Sequence, residues 1–142
     1  MLSMRIAAKI FALLLLVLLA FVVNAYASAY FAAYVFPFVQ PRPYTEMISA
    51  AVVGSIAAGI VVSYPLVRLF PRRYWLAALA VAVPIMEMRG HDFLLYVGKN
   101  EPRIVVMSVV EFLVYPAALL VCTWLVSQWL AAGQRGAKYA TE

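Results

Sequence analysis

Charge is scarce in this chain. Only 12% of its 142 residues are Asp, Glu, Lys or Arg, about half of what a soluble domain carries. Hydrophobic residues fill 67%, and no soluble fold of this size can hide that much apolar surface. A cytosolic enzyme, a secreted disulfide scaffold and a nucleic-acid-binding module are excluded on that ground. Cysteine and histidine occur once each, as Cys122 and His91. One cysteine forms no intrachain disulfide, and the pair cannot build a zinc site of the usual Cys/His kind. No Ser-His-Asp set, phosphate-binding loop or glycine-rich dinucleotide fingerprint is present, and no cofactor is expected. The eleven Lys and Arg are scattered rather than clustered, whereas nucleic-acid binding needs a continuous basic surface.

What the chain does have is long apolar runs. The first uncharged run covers residues 10–38 and reaches roughly 43 Å as a helix, more than a bilayer core of about 30 Å. Three prolines between Pro37 and Pro43 then predict a turn. The second run, residues 47–67, suits one span and ends in the basic turn Arg68-Leu-Phe-Pro-Arg72-Arg73. The third starts at Tyr74 and stays uncharged only to Met86, a length that reaches about 20 Å. The fourth, Ile104 to Trp129, holds one charge, Glu111. These runs predict an all-α integral membrane protein: a bundle of four transmembrane helices over residues 6–36, 46–70, 74–90 and 104–130, with short loops and a polar tail over 131–142. The charges from Glu87 to Asp92 end the third helix near Met88 in this reading. Residues 89–103 then form an outer loop, with Phe93 to Val97 on the membrane surface. The alternative continues the third helix to about Val97 with charges inside.

Seven of the basic residues (Arg5, Lys9, Arg68, Arg72, Arg73, Arg135, Lys138) fall on one side of a four-span chain and four (Arg42, Arg89, Lys99, Arg103) on the other. The positive-inside bias therefore predicts both termini in the cytoplasm, and the expected location is a bacterial inner, or plasma, membrane. Residues 1–27 also mimic a secretory signal peptide ending in Ala25-Tyr26-Ala27, and cleavage there would leave three spans. Arg68, Arg72 and Arg73 would meet anionic headgroups at about 1 kcal/mol each, enough to anchor topology and too little to select a lipid.

Five of the six acids, Glu46, Glu87, Asp92, Glu101 and Glu111, lie on the outer side or in the outer half of such a bundle. Glu111 is about 10 Å inside the fourth helix. A carboxylate there faces the bundle interior or a water-filled cavity. The outer half of the first helix carries Asn24 and the i, i+4, i+8 face Tyr26, Tyr30, Tyr34. Ser108, Glu111, Tyr115 and Cys122 share a face of the fourth. One reading is an outward-open polar pocket built from Glu111, Glu87, Tyr26, Tyr30, Tyr115 and Asn24, with the carboxylates exchanging protons. The other pairs Glu111 with Arg89 or Arg103 as a pin, makes the tyrosines an interfacial belt, and gives Asn24 a helix–helix hydrogen bond. Arg89, His91, Asp92 and Arg103 are candidate polar groups of the outer loop, His91 as a pH-sensitive group or a solvated one. No metal site is expected.

The second helix holds two interlaced small-xxx-small lines, Ala50-Gly54-Ala58 and Ser55-Gly59-Ser63, which let helices approach closely within the chain or between chains. Pro65, Pro84 and Pro116 each remove one helical hydrogen bond, and Pro116 would kink or hinge the fourth helix near Glu111. Four short spans are similar in plan to the small multidrug-resistance transporters. Their membrane-embedded glutamate lies in the first helix, however, while here the first helix has no acid and Glu111 is in the last, so no residue carries over. Three functions follow. The first is a non-enzymatic accessory or interaction subunit of a membrane complex, partnered by the bilayer and by another membrane protein or further copies of itself. The second is a proton-linked small-solute transporter working as an oligomer through Glu111. The third is a membrane enzyme acting on lipid or glycolipid through Glu87, His91 or Asp92.

Overall fold

The computed structural model describes residues 2–35, 44–99 and 101–139. Among them all regular structure is helical: α1 (Leu2–Val35), α2 (Tyr44–Leu69), α3 (Tyr74–Tyr96) and α4 (Pro102–Tyr139). α1, α2 and α4 are each long and apolar enough to cross a membrane; α3 does not meet that standard of composition. The proline turn over residues 36–43 lies outside the described residues. The helices run through Pro65, Pro84 and Pro116 without a break, and α1 passes unbroken through Ala25 to Ala27.

Two expected helix ends are corrected. α3 does not stop near Met88 but continues to Tyr96, so Arg89, His91 and Asp92 are helical and the connection shortens to residues 97–101. The reason is neutralisation. Arg89 is held by two carboxylates, one from its own helix and one from α4, so the charge run has no cause to unwind there. α4 continues past Trp129 to Tyr139 rather than fraying into a tail.

α2 is the centre of the packing. It lies along α1 on one side and α4 on the other, α4 in turn lies along α3, and α1 touches α3 only lightly. Helices in a lipid environment gain little from the hydrophobic effect between them and associate through close packing and polar contacts. The small residues of α2 provide this. Ala50, Ala51, Gly54, Ser55, Ala58, Gly59, Val62 and Ser63 are all buried. A Cβ added at Gly54 would lie 2.6 Å from the carbonyl oxygen of Asn24 in α1, and one at Gly59 would lie 2.9 Å from Sγ of Cys122 in α4. The two interlaced lines are thus spent within the chain, one towards α1 and one towards α4. α3 contributes its alanine-rich face, with Ala77, Ala78, Val81, Ala82 and Ile85 buried against Leu66, Tyr115 and Leu119.

Hydroxyls inside this apolar core bond to their own helices. Ser55 donates to the carbonyl of Ala51 at 2.7 Å, Ser108 to that of Ile104 at 2.8 Å and Thr123 to that of Leu119 at 2.8 Å. At one end of the bundle the ammonium of Lys9 sits 5.8 Å from the Phe70 ring. The end of α2 and the C-terminal part of α4 share a depression there. The start of α1, the Arg68–Arg73 turn and the end of α4 therefore lie together. The opposite end carries the site.

Candidate functional site

At that opposite end all four helices surround a cavity of about 750 Å³. α1 contributes Asn24, Ser28 and a row of alanines, α2 Glu46 and Met47, α3 Ile85, Met88 and Arg89, and α4 Arg103, Met107 and Glu111. The space exists because α1 and α3 pack lightly on each other and α1 does not pack on α4. Its volume lies in the range of small-molecule pockets.

Glu111 is in the third turn of α4 and Arg89 in the fifth turn of α3. The two helices run side by side, which brings them together although they are 22 residues apart. Nε of Arg89 donates to Oε2 of Glu111 at 2.5 Å, and Nη1 donates to Oδ2 of Asp92 at 3.0 Å. The Glu111 side chain is 3% exposed and that of Arg89 21%. The carboxylate is thus almost wholly enclosed and the guanidinium mostly so, an ion pair of the kind whose desolvation cost is offset only by close geometry. Arg89 and Asp92 are one helical turn apart, so the guanidinium serves a local partner and a distant one at once. Of the two arginines considered as partners for Glu111, it is Arg89 that makes the pair.

Glu46 is 1% exposed, with both carboxylate oxygens buried. Arg103 is half-buried, its guanidinium 5.9 Å from the Tyr44 ring. It makes no ion pair among the described residues. Asn24 Oδ1, Ser28 Oγ and the Tyr115 hydroxyl are buried and find no hydrogen-bond partner among the described residues.

The expected pocket residues separate. Glu111 and Asn24 line the cavity. Tyr115 is 1% exposed and packs in the core one turn beyond Glu111. Glu87 and His91 are exposed and do not line the cavity. Tyr26 and Tyr30 face away from the bundle, 72% and 54% exposed. Two residues expected on an outer loop, Arg89 and Arg103, line the cavity instead from helical positions. Glu46 and Ser28 join the site without having been singled out as candidates. The available signals were the position of Glu46 in the first turn of its helix and the i, i+4 relation of Ser28 to Asn24. Gly54, Ala58, Ser55 and Gly59 are buried contacts inside the chain. Arg68, Arg72 and Arg73 are exposed at the far end. Among the described residues no group of three His, Cys, Asp or Glu is placed to hold a metal ion.

The tyrosine ladder has a definite depth. Ring centroids of Tyr26 and Tyr30 are 6.3 Å apart and those of Tyr30 and Tyr34 are 4.2 Å apart. Ser28, between the first two, abuts Gly54. Gly54 is ten residues into α2, roughly 15 Å along its axis and near its middle. Tyr26 and Tyr30 thus sit at the mid-depth of α2, not at its end where a belt at headgroup level would lie.

Comparisons with protein-family models, with curated proteins and with solved structures find no match.

Proposed function

We propose that the chain crosses the inner membrane four times, both termini in the cytoplasm, and serves as a non-enzymatic subunit of a membrane complex. α3 spans 23 residues, roughly 34 Å, which is long enough to cross. Its arginine is compensated by Glu111 and Asp92, which supports counting it as the fourth span. The excess of Lys and Arg at the Lys9 and Arg73 end supports the orientation.

The observation that carries the subunit reading is the depth and exposure of Tyr26 and Tyr30. Hydrocarbon offers a phenol hydroxyl no hydrogen-bond partner, and leaving one unsatisfied costs several kcal/mol. Two stacked tyrosines facing outward at mid-depth are accounted for by a helix of another polypeptide lying along α1 and accepting their hydrogen bonds. The α2 lines cannot be that contact, being buried inside the chain. The test is the native mass and composition of the protein in a mild detergent. The expected result is a foreign membrane protein in fixed stoichiometry, depleted about tenfold or more (1.4 kcal/mol) when Tyr26 and Tyr30 are both replaced by Phe. A preparation containing this chain alone contradicts the reading.

A second reading, the proton-linked transporter of a small solute, is favoured by the cavity in whose wall Glu111 lies. Glu111→Gln separates the two. Transport lost with the assembly intact supports the transporter, and unaffected partner binding without any transport activity in the parent protein supports the subunit.

A further inference from the structure

Among the described residues the cavity has one accessible cation without an acidic partner, a wall of small and flexible side chains, and a side opening. Glu111 is spent on Arg89, and the Glu46 carboxylate oxygens are shielded. Arg103 remains, half-buried in the cavity wall and bonded to no carboxylate among the described residues. It lies in the first turn of α4, a 38-residue helix whose N-terminal amides and dipole add to its attraction for an anion. The first turn of a spanning helix is also the level of lipid phosphates. From Arg103 the cavity runs inward to Glu111, eight residues or about 12 Å deeper.

Along that path α1 presents Ala25, Ala29 and Ala32, whose short side chains leave the space open. Met47, Met88 and Met107 line the other three helices, and methionine adapts to irregular apolar surfaces. Phe21 of α1 and Met88 of α3 line the cavity and are also exposed, by 41% and 36%. They mark a mouth between the two helices that pack lightly, which opens towards the bilayer rather than only towards water.

We propose that this cavity is a binding site for a membrane lipid with an anionic headgroup, which enters between α1 and α3 and sets its phosphate against Arg103 while an acyl chain lies along the alanine row. The occupant is distinguished by position from lipid gathered by Arg68, Arg72 and Arg73, which are exposed at the other end, where Arg68 borders a separate depression between the end of α2 and the C-terminal part of α4. It does not depend on the subunit reading, since a partner along the tyrosine face leaves the α1–α3 mouth free.

The test is native mass spectrometry of the full chain in detergent doped with phosphatidylglycerol or with phosphatidylcholine of identical acyl chains. Inorganic phosphate alone serves as a third probe. The expected result is one retained phosphatidylglycerol, preferred over phosphatidylcholine by about tenfold or more, equivalent to 1.4 kcal/mol. Arg103→Gln removes the preference. Ala29→Trp, at an exposed position of the wall, fills the cavity and removes both lipids with the unfolding midpoint preserved. Arg68→Gln changes nothing. Equal retention of the two lipids, full preference in Arg103→Gln, or inorganic phosphate competing as well as the lipid overturns the proposal. Arg103 sits at the start of a helix and takes no part in the Arg89–Glu111 pair, so its variant folds, and the assay stands even if Ala29→Trp does not.

Discussion

Replacing Glu111 with alanine destabilises the protein by about 3–5 kcal/mol, the loss expected when one member of a buried ion pair is removed. Arg89 keeps Asp92, which places the loss towards the lower end of that range. The guanidinium still loses a partner that is 3% exposed. Asp92→Ala costs less, because the Asp92 side chain is 27% exposed and its place can be taken by water or headgroups. Replacing both partners, Arg89→Met with Glu111→Met, recovers most of the loss, since an apolar pair leaves no orphaned charge. The measurement is unfolding in mixed micelles, run as a double-mutant cycle. If Glu111→Ala lies within about 0.5 kcal/mol of wild type, as a surface substitution would, the pair does not hold α3 against α4 and the argument for a fourth span loses its main support.

Gly54→Ala is the second large effect, at about 1–3 kcal/mol of overpacking. The added Cβ meets the Ser28 hydroxyl and, at 2.6 Å, the backbone carbonyl of Asn24. A side chain can rotate away but a carbonyl in a helix cannot, so α1 and α2 must separate along their whole contact. Gly59→Ala behaves differently. Its Cβ meets Sγ of Cys122 at 2.9 Å and the carbonyl of Ala118 at 3.1 Å. The shortest of these contacts is with a side-chain atom, and Cys122→Ala in the same chain removes it, leaving Cβ of residue 122 at 3.2 Å and the Ala118 carbonyl to be accommodated by small shifts. No single side-chain change rescues Gly54→Ala fully. Gly133→Ala has nothing within 4 Å of the new Cβ and is neutral or gains up to about 1 kcal/mol of helix propensity. Thermal unfolding of the four variants checks this order, and equal midpoints for Gly54→Ala and Gly133→Ala contradict the close α1–α2 packing.

These two sites also mark how far a one-dimensional reading reaches. Run length and composition are local properties, and they locate both ends of α1 and α2 and the start of α4 to within a few residues, but not the end of α4. The i, i+4 spacing of Ala50, Gly54 and Ala58 and of Ser55, Gly59 and Ser63 identifies a close-packed helix, but not which neighbour each line meets. α3 is where local reasoning fails. Glu87, Arg89 and Asp92 read as the end of a span when counted as isolated charges. Their helix continues because Arg89 is paired with a residue 22 positions away, and that pairing follows from α3 lying beside α4. The same cause moves Arg89 and Arg103 from an expected loop into the cavity wall. The tyrosines illustrate the opposite case. Their shared face is evident from spacing, but whether it turns in or out depends on Asn24 and Ser28 taking the contact with Gly54, leaving Tyr26 and Tyr30 on the far side.

The central claim is that another polypeptide covers that far side, and cross-linking in the native membrane tests it most directly. A photoactivatable residue placed at Tyr30 is compared with one at Leu14, which is equally part of α1 and 61% exposed. The account predicts a discrete adduct with a second, different membrane protein from position 30, absent from position 14 and lost when Tyr26 is changed to Phe. Adducts with lipid alone, or only with further copies of this chain, would contradict it.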